Sequence, residues 1–309
     1  MRLSFLRFVG LLLWFLGAMS EAQAQAQSLE PVELEGKLTT TGSDTLGAIT
    51  SVWAEMLQER HPKVLVQVRA IGSAAAPTAL VEGTADLGTM SRPMSVAEER
   101  NFERRYGYAP IAVPVARDAI AVFVHRDNPL SSIVVPTLDA VFSSTRRCGQ
   151  PQPVRRWSDL GLSGDWGARG ISLYGRSAAS GTYSVFRQQV LCSGDFSPRV
   201  NRLVGSSAIV RAVADDRNAI GYASAGYLNA NVKALTVIGP GGQPQASLDR
   251  DLYIYLNVSP GTTLSPLAAA FMDLILSPEG QQETTKAGYL PLTIAEQRAQ
   301  RRRLGLAGG

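Results

Sequence analysis

Catalytic hardware is scarce in this chain. Its 309 residues include two histidines, His61 and His125, and two cysteines, Cys148 and Cys192. Neither histidine sits in a Cys/His cluster with metal-ligand spacing, so no metal centre is expected. No Gly-x-Ser-x-Gly elbow occurs: Gly175-Arg-Ser177-Ala-Ala and Gly88-Thr-Met-Ser91-Arg both lack the second glycine. His61 precedes Pro62 at a predicted helix end and reads as a C-terminal cap. His125 closes a β-rich run beside Arg126-Asp127 and reads as a surface residue. Asp215-Asp216 reads as a solvated pair, and Asp249 and Asp251 around Arg250 read as an exposed ion-pair patch in a turn. The formal net charge is only +4. That is a mild excess without interleaved aromatics, which excludes a nucleic-acid-binding face. Much of it lies in Arg298, Arg301, Arg302 and Arg303, expected to be a solvated, frayed tail. There is no internal repeat and no low-complexity linker.

What is present begins with an export signal. Arg2 and Arg7 flank a short n-region, Phe8 to Met19 is apolar apart from glycines, and Ala22-Gln-Ala24 and Ala24-Gln-Ala26 resemble small-x-small cleavage sites. The apolar run is too short to span a bilayer comfortably, and no later segment is apolar enough to cross one. Residues 1–26 are therefore expected to be a cleaved signal peptide and the mature chain to be periplasmic. About 280 residues remain, enough for one large or two medium domains without staples. In an exported chain an even cysteine count favours a Cys148–Cys192 disulfide, with two buried free thiols as the alternative.

Strand-like and helix-like segments alternate, which predicts an α/β architecture. Strands are expected over 34–40, 64–70, 85–89, 111–115, 120–125, 171–175, 219–223 and 252–258. Helices are expected over 46–60, 76–82, 95–106, 137–142, 181–191, 207–215 and 264–276, with a last short one after Ser277-Pro-Glu-Gly280. Leu46, Ile49, Trp53, Met56 and Leu57 recur at helical spacing and place Trp53 in the core. The polar, Gly-rich stretch 154–170 reads as a loop region in which Trp157 and Trp166 pack locally.

Four loops share one design, in which a strand ends, small or hydroxyl residues follow and a helix begins. They are Thr41-Gly42-Ser43-Asp44-Thr45-Leu46, Ile71-Gly72-Ser73-Ala74, Gly88-Thr89-Met90-Ser91-Arg92-Pro93, and Gly175-Arg176-Ser-Ala-Ala-Ser180-Gly181-Thr182. One such loop is ordinary helix capping, with Ser180 or Thr182 as an N-cap. Four converging at the carboxyl ends of strands can instead bind a ligand. A dehydrated anion needs many donors at once. The hydroxyls and the helix-start N–H groups supply them, and Arg92 and Arg176 supply the balancing charge.

These loops resemble, in order, those of the periplasmic phosphate-binding proteins of ABC transporters. Ser277-Pro-Glu-Gly-Gln281 and Lys286-Ala-Gly288-Tyr289-Leu290-Pro291-Leu292 are also similar to that family, and the likeness covers nearly the whole mature chain. The resemblance implies an α/β clamp of two lobes joined by two hinge strands, lobe 1 being residues 27–114 plus 252–309 and lobe 2 residues 115–251. It implies capture of inorganic phosphate and delivery to an inner-membrane ABC transporter permease. A monomer without cofactor or enzymatic activity is implied too. It assigns phosphate contact to Ser43, Asp44, Thr45, Leu46, Ser73, Ser91, Arg92, Arg176, Ser180, Gly181 and Thr182. Some family members carry an Asp where this chain has Arg92, and that Asp accepts the proton of hydrogen phosphate. Asp44 is the candidate replacement here, with N-capping as its alternative role. Another oxyanion, such as sulfate or molybdate, and a phosphate sensor or scaffold remain as alternatives.

Overall fold

The computed structural model describes residues 33–243 and 248–306; the expected signal peptide lies outside them. The alternation is realised as two copies of one strand–helix–strand–helix–strand unit. The first runs β1 (Gly36–Gly42), α1 (Gly47–Arg60), β2 (Val64–Arg69), α2 (Ala75–Glu82) and β3 (Leu87–Met90). After α3 (Val96–Tyr106), β4 (Ile111–His125), β5 (Ser132–Val134) and α4 (Val135–Phe142), the second runs β6 (Ser172–Arg176), α5 (Gly181–Gln189), β7 (Val200–Leu203), α6 (Ser206–Asp215) and β8 (Ala219–Ser224). The chain continues through β9 (Val232–Ile238), β10 (Asp249–Leu256), α7 (Pro266–Ile275), α8 (Pro278–Lys286) and α9 (Ile294–Arg303).

The sheet order, β2-β1-β3-β10-β4-β8-β6-β7, is a palindrome. Within each unit the strands are parallel, and β3–β10, β10–β4 and β4–β8 are antiparallel. The duplication has no long sequence repeat behind it, because packing needs only matching patterns of burial. Its trace in the sequence is short: Arg69-Ala-Ile-Gly-Ser73 and Arg202-Leu-Val-Gly-Ser206 end the two outermost strands of this order. The two central strands join the halves. β4 pairs with β10 as far as Ala119 and with β8 from Ile120. The two β runs read at 111–115 and 120–125 are thus one continuous strand. Arg117-Asp118 interrupts the apolar pattern without breaking the strand. A bulge at Val115 shifts the register next to Pro114, which has no ladder N–H to give.

Each half has its own apolar core. Trp53, Phe102, Leu80 and Met90 are buried in the first half, and Phe142, Trp157, Phe186 and Tyr222 in the second. Trp157 meets Trp166 edge to face at 6.1 Å, so stretch 154–170 is packed through its tryptophans as expected. Cys148 and Cys192 form a disulfide with Cα atoms 5.5 Å apart, tying the loop after α4 to the end of α5. The C-terminal arginines lie on a regular helix, α9, and two of the four expected to be solvated, Arg301 and Arg303, bond to the body of the protein, while Arg298 and Arg302 are exposed. Thr293 and Glu296 form a capping box at the start of α9. Arg301 bonds Asp273 at 2.7 Å, and Arg303 donates to the Ala112 carbonyl at 2.8 Å. His125 is also less exposed than its sequence setting implied, its side chain being 13% accessible beside Asp127.

Candidate functional site

The cradle loops leave the carboxyl ends of β1, β2, β3 and β6. At the first, Gly42 turns the chain at φ +143°, and a Cβ there would lie 2.0 Å from the Thr89 carbonyl oxygen. Only glycine lets β1 and β3 close to that distance. The hydroxyl residues Ser43, Thr45, Ser73, Ser91, Ser180 and Thr182 are all at most 1% exposed. Ser91 N–H donates to Ser73 Oγ at 3.0 Å, and the two hydroxyls lie 3.2 Å apart. Gly181 brings the fourth loop onto this pair: a Cβ at that position would be 2.5 Å from Ser91 Oγ and 2.8 Å from Ser73 Oγ. Ser180 caps α5 by accepting the Thr182 N–H at 3.1 Å, so this loop is both a helix cap and a member of the cluster.

Two buried guanidiniums converge on Thr182. Arg176, at the end of β6, is 1% exposed. Its Nη1 donates to Ser206 Oγ at 2.8 Å and to Thr182 Oγ1 at 3.3 Å, and its Nη2 pairs with Asp44. Its Nε is buried with no hydrogen-bond partner among the described residues, an arrangement that costs free energy unless an acceptor arrives. Arg250, on β10, is 8% exposed. It faces Asp118 across the β4–β10 ladder and donates to that carboxylate at 2.7 and 3.2 Å. It also donates to the Ser91 carbonyl at 3.1 Å, to Thr182 Oγ1 at 2.8 Å and to Thr45 Oγ1 at 3.4 Å. Because Thr182 Oγ1 accepts from both arginines, its own O–H is left to donate to Thr45 Oγ1, 3.2 Å away. Ser224 donates to the other Asp118 oxygen at 2.7 Å. The result is a largely buried cluster of two guanidiniums, two carboxylates and eight hydroxyls built from both halves of the sheet.

Residues 20–279 match a model of the PBP superfamily domain. The phosphate-binding protein PstS of Pseudomonas aeruginosa is 45% identical over 271 residues, which cover 84% of each chain. The chain belongs to the PstS family of phosphate-binding proteins. Protein SphX of Synechococcus elongatus is 26% identical over 306 residues, covering 91% of this chain and 88% of its own. A Clostridium perfringens substrate-binding protein with bound phosphate superposes with a TM-score of 0.69 at 25% identity, covering 84% of this chain and 100% of that one. An ABC-type phosphate transport receptor from Vibrio cholerae gives a TM-score of 0.63 at 22% identity over 82% of this chain and 100% of its own, and shares the fold. The mixed α/β architecture is that of the periplasmic binding proteins.

Within this PstS-family fold, Ser43, Asp44, Thr45, Leu46, Ser73, Ser91, Arg176, Ser180, Gly181 and Thr182 gather in or beside the cluster. Asp44 does not cap α1. Its carboxylate goes to Arg176, while Ser43 Oγ accepts the Leu46 N–H at 3.4 Å. Arg92 is not brought in. Both its Nη atoms bond the Glu98 carboxylate at 2.7 Å, at the start of α3. Burial raises the Glu98 carboxyl, but the bonds from Arg92 and the Ser95 N–H outweigh it and hold the group below its ordinary range. The second positive charge comes from Arg250, so the exposed patch expected around it is corrected: Arg250 is buried and paired. Its flanking aspartates hid this, because alternate strand positions face opposite sides. Ser206 was also missed, although the repeated Arg-x-aliphatic-Gly-Ser step matches it to Ser73. Asp118 had a weaker mark, a charged pair inside an apolar β run.

Asp86 bonds the backbone, accepting the Thr39 N–H at 2.7 Å. Among the described residues no group of His, Cys, Asp and Glu could hold a metal ion, and no helix is long and apolar enough to cross a membrane.

Proposed function

We propose that this chain captures inorganic phosphate in the periplasm and delivers it to the inner-membrane permease of an ABC transporter, acting as a monomer and making or breaking no bond. One observation carries the reading: two buried guanidiniums, one from β6 and one from β10, meet at Thr182 among buried hydroxyls that bond to them, to one another and to backbone N–H groups. Arg176 and Arg250, each already balanced by a carboxylate, contribute charge-assisted donors rather than a net positive charge, and Thr45, Ser73, Ser91, Ser180, Thr182 and Ser206 add hydroxyl donors. Hydroxyl pairs are neutral hydrogen bonds. Exchanging them for bonds to an anion roughly doubles the strength of each.

The two carboxylates divide the remaining work. Asp118 has one oxygen on Ser224 and the other on Arg250, so it holds Arg250 in place. Asp44 meets Arg176 from the opposite half and is the acceptor for the proton of hydrogen phosphate. Sulfate carries no proton at neutral pH and would set its oxygen against that carboxylate. The lobes of the clamp are 27–114 plus 252–309 and 115–251. The change of partner along β4 supports a hinge at Ala119–Ile120 instead, and with it 115–119 and 249–251, including Asp118 and Arg250, join the first lobe. Closure joins Ala74 N–H to the Ala179 carbonyl at 3.0 Å and buries the anion.

Calorimetric titration of the mature protein with phosphate, sulfate and molybdate tests the reading. One-to-one binding of phosphate in preference to the other two is expected. No heat with phosphate refutes it. Equal affinity for sulfate removes Asp44 as the proton acceptor and favours a general oxyanion carrier.

A further inference from the structure

Two Gly-Tyr steps meet behind the first cradle loop. Gly226-Tyr227 lies in the turn after β8, in the second half. Gly288-Tyr289 follows α8 and returns to the first half. Their backbones touch. A Cβ on Gly288 would lie 2.9 Å from Gly226 Cα, and one on Gly226 would lie 3.0 Å from the Ala287 carbonyl oxygen and 3.3 Å from that of Gly288. No larger residue permits this approach without a shift.

The contact brings both phenols to one stretch of backbone. Tyr289, 3% exposed, donates to the Thr45 carbonyl. Tyr227 donates to the Asp44 carbonyl at 3.2 Å and to the Thr45 carbonyl at 3.4 Å. Burial raises the pKa of both phenols, so they remain donors across the physiological range. A trans peptide is planar, with its C=O and the following N–H pointing opposite ways. Phenols that hold the carbonyls of Asp44 and Thr45 from behind therefore turn the N–H groups of Thr45 and Leu46 the other way. They also fix the stretch that carries the Asp44 carboxylate and the Thr45 hydroxyl.

We propose that Tyr227 and Tyr289 are positioning residues that set Asp44, Thr45 and Leu46 for the oxyanion, and that the Gly226–Gly288 contact makes the setting depend on closure. The inference rests on the phosphate reading above. Tyr289 belongs to the same half as the loop and holds it in any state. Tyr227 comes from the other half and reaches the loop only when the halves meet. Tyr227 therefore acts on release more than on capture.

Rapid mixing with radiolabelled phosphate tests this on the wild type and on Tyr227→Phe, Tyr289→Phe and Gly226→Ala. Tyr227→Phe should raise the dissociation rate about five- to tenfold, the loss of one buried hydrogen-bond donor. Its association rate should stay within about twofold and its melting temperature should not move. Gly226→Ala should raise the dissociation rate in the same way, because the added methyl meets the Ala287 and Gly288 carbonyls only in the closed form. The two Tyr→Phe changes should be non-additive, since both phenols serve the Thr45 carbonyl. Unchanged dissociation rates in Tyr227→Phe and Gly226→Ala, with or without a fall in melting temperature, overturn the inference alone. Failure of the wild type to retain phosphate overturns the phosphate reading and this inference together.

Discussion

Replacing Arg250 by Ala removes a cation whose partner cannot turn to water. The Arg250 and Asp118 side chains are 5% and 1% exposed. The variant leaves a buried carboxylate with the Ser224 hydroxyl as its remaining donor in the structure. Breaking one side of such a pair costs about 3–5 kcal/mol, which at roughly 2–4 °C per kcal/mol lowers the melting temperature by about 10 °C. Removing both charges together, as in Asp118→Asn with Arg250→Met, should restore stability to within about 1–2 kcal/mol. Phosphate binding should not follow. A hydrogen bond to a charged group contributes about 1.5–3 kcal/mol, so single and double variants should both bind phosphate roughly 10- to 150-fold more weakly. Denaturant unfolding and calorimetry on the same samples separate the two effects. A double variant that regains both stability and wild-type affinity would show that Arg250 serves the fold alone.

The two arginines of the sequence reading should now part company. By calorimetry, Arg176→Ala should weaken phosphate binding at least about 100-fold, through two or more charge-assisted bonds, while Arg92→Ala, whose guanidinium is held by Glu98, should leave affinity within about twofold. Gly181→Ala puts a methyl 2.5 Å from Ser91 Oγ and should cost more than about tenfold in affinity, measured the same way. Arg117 and then Thr293 lower the Glu296 carboxyl from 4.5 to about 2. Its contribution is present above pH 4.5 and lost as pH falls toward 2. Glu296→Gln should flatten that part of the acid-unfolding curve, and an unchanged slope would contradict the assignment. Reducing the Cys148–Cys192 bridge, with its separation of 44 residues, should lower stability by about 4 kcal/mol in the chain-entropy model, read as a shift in denaturant midpoint.

The helices that carry periodic apolar residues, such as α1 with Ile49, Trp53 and Leu57, were legible because burial of one face sets their spacing. The strand-to-helix loops were legible because the same glycine and hydroxyl pattern recurs four times at strand ends, where a single copy is ordinary capping. What escaped depends on pairing across the sheet. Arg250 and Asp118 lie 132 residues apart, and only the β4–β10 register makes them neighbours. Arg92 looked like a ligand because it adjoins Ser91, but Glu98, in the first turn of α3, captures it locally. The tail arginines looked solvated because a basic run with little apolar spacing has no visible partner. Asp273 on α7 and the Ala112 carbonyl, both distant in sequence, supply them for Arg301 and Arg303. β7 and β9 were not anticipated, since strands of four and seven residues with mixed polarity take their definition from neighbours.

The central claim is that one oxyanion sits between Arg176 and Arg250, enclosed by hydroxyls from both halves of the sheet. A crystal structure of the phosphate complex tests it most directly. The account predicts phosphate oxygens within hydrogen-bond distance of both guanidiniums, Thr45, Thr182 and the Ser73–Ser91 pair, with one oxygen facing the Asp44 carboxylate. Phosphate held elsewhere, or held by Arg176 with Arg250 still bonded only to protein, would contradict it.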